Sequence, residues 1–176
     1  MNALIEKPLI LGFVAPSGTG KTTLLEKIIR ELSDKGHRIA VIKHAHHDFD
    51  IDIPGKDSFR LRKAGAQQTM VCSKQRWALI NEITDERDEP NLLESISQLD
   101  ISRLDIIIVE GFKHEAFPKI VLHRKETLKP VLPDDQYIIA YVTNDKQAIN
   151  TEKPVIDLNK PSEITNFIEN LLNNSN

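Results

Sequence analysis

Leu9-Ile10-Leu11-Gly12-Phe13-Val14-Ala15-Pro16-Ser17-Gly18-Thr19-Gly20-Lys21-Thr22-Thr23 is the stretch that decides the fold of this chain. Its first seven residues form a continuous apolar run, which reads as a strand buried on both faces, as in a parallel sheet. From Leu25 the apolar residues fall at Leu25, Ile28, Ile29 and Leu32, the stripe of an amphipathic helix, and Gly36 follows as its stop. Between strand and helix lies a glycine-rich turn with Lys-Thr at the helix start, the pattern of a phosphate-binding P-loop. Gly18 and Gly20 let main-chain N–H groups turn inward around phosphate oxygens, at angles a side chain would resist. Lys21 brings a cation to the β and γ oxygens, and the Thr22 hydroxyl is placed to ligate Mg²⁺. The helix beginning near Lys21 adds the positive end of its dipole. The first position of the motif G-x-x-x-x-G-K-[ST] is Ala15 here, the smallest replacement at a point that needs a tight strand exit. A turn that merely joined strand to helix would not require Lys-Thr. The expected ligand is a nucleoside triphosphate with Mg²⁺.

Outward from the loop, Arg38 to Lys43 is the next strand and completes a βαβ unit, whose crossover is right-handed. Asp57 to Ala64 reads as a helix closed by Gly65, and Gln68 to Cys72 and Arg76 to Asn81 read as extended. The composition turns acidic around Thr84 to Asn91, and Leu92, Leu93, Ile96 and Leu99 space a helix. Leu104 to Gly111 is a second buried strand, followed by strands at Lys119 to His123 and Tyr137 to Val142. A final helix runs behind Pro161. The expected fold is α/β, a mostly parallel sheet with helices on both faces, of P-loop NTPase type. It reads as one domain over residues 1–172 with a frayed tail at 173–176.

Composition narrows the class. A chain of 176 residues can hide roughly 70% of its unfolded surface, so one core forms without staples. A formal charge of −3 excludes a generally basic surface, and Arg60-Leu61-Arg62-Lys63 is the only local basic run, so no nucleic-acid partner is expected. Cys72 is the single cysteine, which removes a disulfide framework and a Cys-based zinc site; within Met70-Val71-Cys72 it reads as buried filler. Leu9 to Ala15, the longest apolar stretch, is far short of the ~20 residues of a membrane span, and the N-terminus lacks a secretory pattern, so the expectation is a cytoplasmic protein.

A carboxylate at the end of a neighbouring strand holds Mg²⁺ in many P-loop proteins. Asp105 and Glu110 flank Ile106 to Val109, about 16 Å apart along an extended chain. Ligands bind beyond the carboxyl ends of parallel strands, which selects Glu110. It either reaches Mg²⁺ through water or orients an attacking water, and Gly111 gives backbone room beside the γ-phosphate. Lys43-His44-Ala45-His46-His47-Asp48-Phe49-Asp50-Ile51-Asp52 emerges at the same end of the second strand. Two readings stand for it: a switch-like loop sensing γ-phosphate and Mg²⁺, or a transition-metal site. Arg60, Arg62 and Lys63 read as a solvated helix face, the alternative being a charge supplied to a transition state or a partner.

Taken together, Ser17 to Thr23, Ile42-Lys43-His44 with His46-His47-Asp48, Pro54-Gly55-Lys56-Asp57-Ser58, Arg62-Lys63-Ala64-Gly65-Ala66 and Val109-Glu110-Gly111-Phe112-Lys113 resemble the MobB family of molybdenum-cofactor biosynthesis. The resemblance spans about residues 9 to 124. It implies a dimeric GTP-binding protein of weak GTPase activity, acting beside the guanylyltransferase MobA and molybdenum-cofactor enzymes in making molybdopterin guanine dinucleotide. It carries over Ser17, Gly18, Thr19, Gly20, Lys21, Thr22 and Thr23 as nucleotide ligands, with Thr22 on Mg²⁺ and Glu110 at the acidic strand end. Residues 44–52, including His47, Asp48 and Asp50, correspond to a loop closing over the phosphates.

The usual [NT]-K-x-D guanine motif is absent. Thr143-Asn144-Asp145 follows a strand at the proper edge, and the Asp145 carboxylate is a candidate acceptor for guanine N1 and N2 hydrogens. No glutamine or arginine finger is evident in cis, which predicts hydrolysis slower by roughly 10³–10⁵. Two other classes remain: a small-molecule ATP kinase, with Thr84 to Asp100 as the only spare segment for a lid, and a metal-delivery GTPase using the His–Asp loop.

Overall fold

The computed structural model describes residues 8–45, 49–84 and 90–174. The chain divides into two compact units, Met1–His44 with Asn91–Asn176, and Ala45–Pro90. The sequence itself shows no linker between these units, and so reads as one domain.

The larger unit is built on a six-stranded sheet. Its elements are β1 (Leu9–Val14), α1 (Lys21–Asp34) and β2 (Ile39–Lys43), then α3 (Leu92–Ser97), β5 (Ile106–Glu110), β6 (Lys119–His123), β7 (Ile138–Thr143), β8 (Val155–Asp157) and α4 (Pro161–Asn173), while α2 (Asp57–Lys63), β3 (Gln68–Cys72) and β4 (Trp77–Asn81) belong to the smaller unit. The strand order is β2-β5-β1-β6-β7-β8, and every pairing is parallel. Helices cover both faces, as expected. Leu9, Leu11, Phe13, Ile106 and Ile108 face one way and pack with Leu25, Ile28 and Leu32 of α1 and Ile164, Ile168 and Leu172 of α4. Ile107 and Val109 face the other way and pack with Leu92, Phe112 and Phe117. The period-2 alternation of a strand buried on both sides accounts for the unbroken apolar runs in the sequence.

Gly12 shows how tightly β1 is hemmed in: a Cβ there would lie 2.7 Å from the Phe117 ring. At the amino ends of β2 and β5, Arg38 Nε and Nη2 donate to Asp105 Oδ2 and Oδ1 at 3.0 and 2.8 Å. Asp105 therefore caps the strand end away from the P-loop, and its N–H returns to Arg38 O at 2.9 Å. β8 went unread in the sequence. Three residues carry too little periodicity to declare a strand, and only pairing with β7 (Thr143↔Asp157) defines it.

The smaller unit holds α2 (Asp57–Lys63) and an antiparallel hairpin of β3 (Gln68–Cys72) and β4 (Trp77–Asn81). Ser73 Oγ closes the hairpin by accepting from Gln75 N and Arg76 N at 3.3 and 3.2 Å. Arg62, only 6% exposed, is its electrostatic centre. Its Nη2 donates to Asp50 Oδ1 at 2.5 Å and Asp52 Oδ1 at 2.7 Å, and its Nη1 donates to Glu82 Oε1 at 2.7 Å. This overturns the expectation of a solvated helix face for Arg62, though Arg60 and Lys63 do stay exposed. Cys72 is exposed rather than buried filler. A two-stranded sheet has no second layer to cover both of its faces, so Met70, Val71, Cys72, Trp77 and Leu79 remain at the surface of their own unit.

Candidate nucleotide-binding site

The carboxyl ends of β1, β2 and β5 converge on the loop between β1 and α1. Gly18 (φ 84) and Gly20 (φ 86) both adopt left-handed backbone, which turns successive N–H groups into the loop's concavity. Thr19 is buried and its hydroxyl donates to Pro16 O at 2.6 Å, fixing the loop from within. Gly20 precedes α1 without any side-chain cap, so the first N–H groups of the helix remain for a ligand.

Lys21 and Glu110, singled out separately in the sequence, come together: Lys21 Nζ lies 3.2 Å from Glu110 Oε1. Lys43 Nζ lies 3.9 Å from the other carboxylate oxygen, as the register Lys43↔Glu110 requires. Beyond Glu110 the backbone is unusual. Gly111 has φ 105 and Phe112 φ 50, two consecutive positive angles at the strand exit. His44 N donates to Glu110 O at 2.8 Å, and the His44 ring stacks on Phe112 with centroids 4.8 Å apart. Thr22 sits exposed in the first turn of α1. A hydroxyl and a carboxylate beside a phosphate nest are hard oxygen donors, and the set suits Mg²⁺.

The remaining expected residues distribute as follows. Ser17 and Thr23 flank the nest and are exposed, and Gly111 adjoins Glu110. His47 and Asp48 lie outside the described residues. Asp50 belongs to the smaller unit, where it is held by Arg62. Among the described residues no group of three His, Cys, Asp or Glu side chains is placed to hold a metal ion. Asp145 lies beyond β7 with its Oδ2 3.4 Å from Lys125 Nζ. Its neighbour Asn144 donates to Glu126 Oε1 and Oε2 at 2.9 and 2.7 Å, a bond that holds the Glu126 carboxyl below its ordinary range.

Two residues at the loop were missed in the sequence. Arg124 Nε donates to Thr19 O at 2.8 Å, and Lys129 Nζ donates to Ser17 O at 2.8 Å. Both come from the connection after β6, more than a hundred residues away. The signal that would have found Arg124 is its position one residue past the end of a strand adjoining β1, at the ligand edge of the sheet.

Parallel sheet, strand-to-helix phosphate nest, helix-start lysine and strand-end glutamate define a P-loop NTPase-type protein. The family model described as "MobB: Molybdopterin guanine dinucleotide synthesis protein B" matches residues 10–144. The chain belongs to the MobB family. It is 48% identical over 165 residues to the molybdopterin-guanine dinucleotide biosynthesis adapter protein of Escherichia coli (strain K12), covering 90% of each chain. It is 42% identical to the protein of that name from Haemophilus influenzae, covering 93% of this chain and 89% of the other. A crystal structure of Bacillus subtilis MobB superimposes with a TM-score of 0.70 at 25% identity, over 93% of this chain and 97% of that one. Among the described residues no helix is long and apolar enough to cross a membrane.

Proposed function

We propose that this protein is a GTP-binding adapter in the biosynthesis of molybdopterin guanine dinucleotide, with slow GTP hydrolysis secondary to its work beside a MobA-type guanylyltransferase and the enzymes that receive the cofactor. The observation that carries the nucleotide reading is the Lys21–Glu110 ion pair, set at the mouth of a loop with two left-handed glycines. Lys21, whose one ion pair among the described residues is with this strand-end carboxylate, is poised to exchange that partner for a phosphate oxygen. Glu110, once released, and Thr22 are the oxygen donors that would hold Mg²⁺, which would neutralise charge on the phosphates. Loop N–H groups hold the phosphate oxygens, and Lys21 sets the terminal phosphate against the strand end. Asp145, once parted from Lys125, is the proposed acceptor for guanine N–H groups.

The adapter role comes from the relatives at 48% and 42% identity, whose names carry it. The homodimer implied by the family is proposed to form across the β3–β4 hairpin. Its apolar Met70, Trp77 and Leu79 are exposed, and among the described residues neither outer strand edge is paired within the chain.

Titration calorimetry of GTP and ATP, with and without Mg²⁺, on the parent and on Lys21→Ala tests the reading. GTP binding that needs Mg²⁺ and is lost in the variant is expected. Equal GTP affinity in the Lys21→Ala protein would end the reading.

A further inference from the structure

Two cations reach the phosphate nest from a single turn of chain outside it, Arg124 and Lys129. Lys129, exposed, lies in the connection between β6 and β7, and its Nζ donates to Ser17 O at 2.8 Å. Among the described residues this ammonium has no carboxylate partner. A solvated lysine gains little from one carbonyl and gives up side-chain freedom to hold it. The chain around it is nevertheless built to send it there.

That turn is fixed at its base and strained at its tip. Arg124 Nε donates to Thr19 O at 2.8 Å, Thr127 Oγ1 donates to Arg124 O at 2.7 Å, and Asn144 Oδ1 accepts from Lys125 N at 3.0 Å. The next residue, Leu128, has φ 54 and ψ 18 and is 92% exposed. An L side chain resists that left-handed backbone, and at this exposure it recovers little by packing. What the reversal achieves is direction, because it brings Lys129 back against Ser17, the residue before Gly18. Pro130 then confines the Lys129 backbone to extended angles. A strained leucine on one side and a proline on the other preset a cation at the rim of the loop.

Lys21 serves the β and γ oxygens from the helix side of the nest, and Ser17 forms its strand-side lip. Loop N–H groups and the helix start enclose the inner phosphates, which leaves the terminal one with room for another donor. An ammonium bonds a charged oxygen about twice as strongly as a neutral carbonyl, so exchanging Ser17 O for phosphate is favourable. Resting on the nucleotide reading above, we propose that Lys129 leaves Ser17 O when a triphosphate binds and becomes a second cationic ligand of the terminal phosphate. Its contact is with the one phosphate that a diphosphate lacks, so Lys129 makes the site favour triphosphate over diphosphate.

Calorimetry in Mg²⁺ with GDP and with guanosine 5′-(β,γ-imido)triphosphate, which resists hydrolysis, tests this. The variants are Lys129→Met, which keeps the length of the side chain and removes its charge, and Lys129→Arg, which keeps a cation. Circular dichroism establishes that each is folded. In Lys129→Met the ratio of triphosphate to diphosphate affinity is expected to fall by about tenfold, with GDP affinity within about twofold of the parent. Lys129→Arg is expected to hold the ratio within about threefold of the parent. A ratio unchanged in folded Lys129→Met, or a parallel loss of both nucleotides, would make Lys129 a brace for Ser17 and overturn the proposal. So would a ratio that falls as far in Lys129→Arg, since charge would then not be what matters. Each of these results leaves the phosphate site standing. If the parent binds neither nucleotide, the nucleotide reading itself falls, and this proposal with it.

Discussion

A Cβ placed on Gly111 would lie 2.6 Å from the Cβ of His44, so the strand exits of β5 and β2 are packed backbone to side chain. Gly111→Ala combines that clash with an alanine at φ 105, where an L side chain costs about 1–2 kcal/mol. The variant is expected to lose at least that much stability in denaturant melts and to shift Glu110 relative to the P-loop. A melt indistinguishable from the parent would show that this junction yields freely.

Glu110→Gln keeps the shape of the side chain and removes its charge. Lys21 then has no carboxylate to leave, and the proposed Mg²⁺ site loses the charge of its carboxylate donor. GTP affinity measured without Mg²⁺ is expected to rise, and the gain on adding Mg²⁺ to shrink by about tenfold, a loss on the scale of one charge-assisted contact. Calorimetry with and without Mg²⁺ reads both. Opposite signs would mean that Glu110 does not hold the lysine in reserve.

On the proposed guanine contact, the parent is expected to prefer GTP over ATP, and Asp145→Ala to erase that preference while leaving binding of either nucleotide in place. Competition titrations measure this directly, and an intact preference would remove Asp145 from base recognition.

Arg62 bonds hold the Asp52 carboxyl below its ordinary value of 3.8. A depressed carboxylate contributes stability that is present above 3.8 and lost as pH falls through the lower folded value. Acidification below 3.8 should therefore loosen the smaller unit. Trp77, the only tryptophan, lies in that unit and reports the change by fluorescence. Asp52→Asn should flatten the acid limb of that curve, and an unaltered limb would place the sensitivity elsewhere.

Trp77, 65% exposed, and Met70 project from the hairpin. On the proposed hairpin interface, the parent is expected to sediment as a dimer, and Trp77→Glu with Met70→Glu to move it towards monomer without unfolding it. An unchanged dimer would move the interface off the hairpin.

The larger unit was legible because both of its signals are local. Ile106 to Val109 is apolar in a run, and Ser17 to Thr22 is contiguous, so strand and loop follow from neighbouring residues. Glu110 was selected over Asp105 by the strand-direction rule, and the structure gives Asp105 to Arg38 at the other end. Arg124 was not legible, because its place at the loop depends on β6 lying beside β1. Arg62 misled for a related reason. Its three carboxylates at Asp50, Asp52 and Glu82 come from outside its own helix, and helical spacing alone speaks only of solvent. Cys72 reads as core in any apolar run, and only the number of layers over β3 decides otherwise.

The Arg38–Asp105 clasp has a bearing on chemistry it never touches. Parallel strands slide by whole residues, and a slip of one would turn Ile106 and Ile108 to the opposite layer and carry Glu110 away from Lys43. By tying together the residues just before β2 and β5, the clasp sets the zero of a molecular ruler. Five residues along, the ruler delivers the glutamate to the lysine, so the precision of the distal end is manufactured at the proximal one.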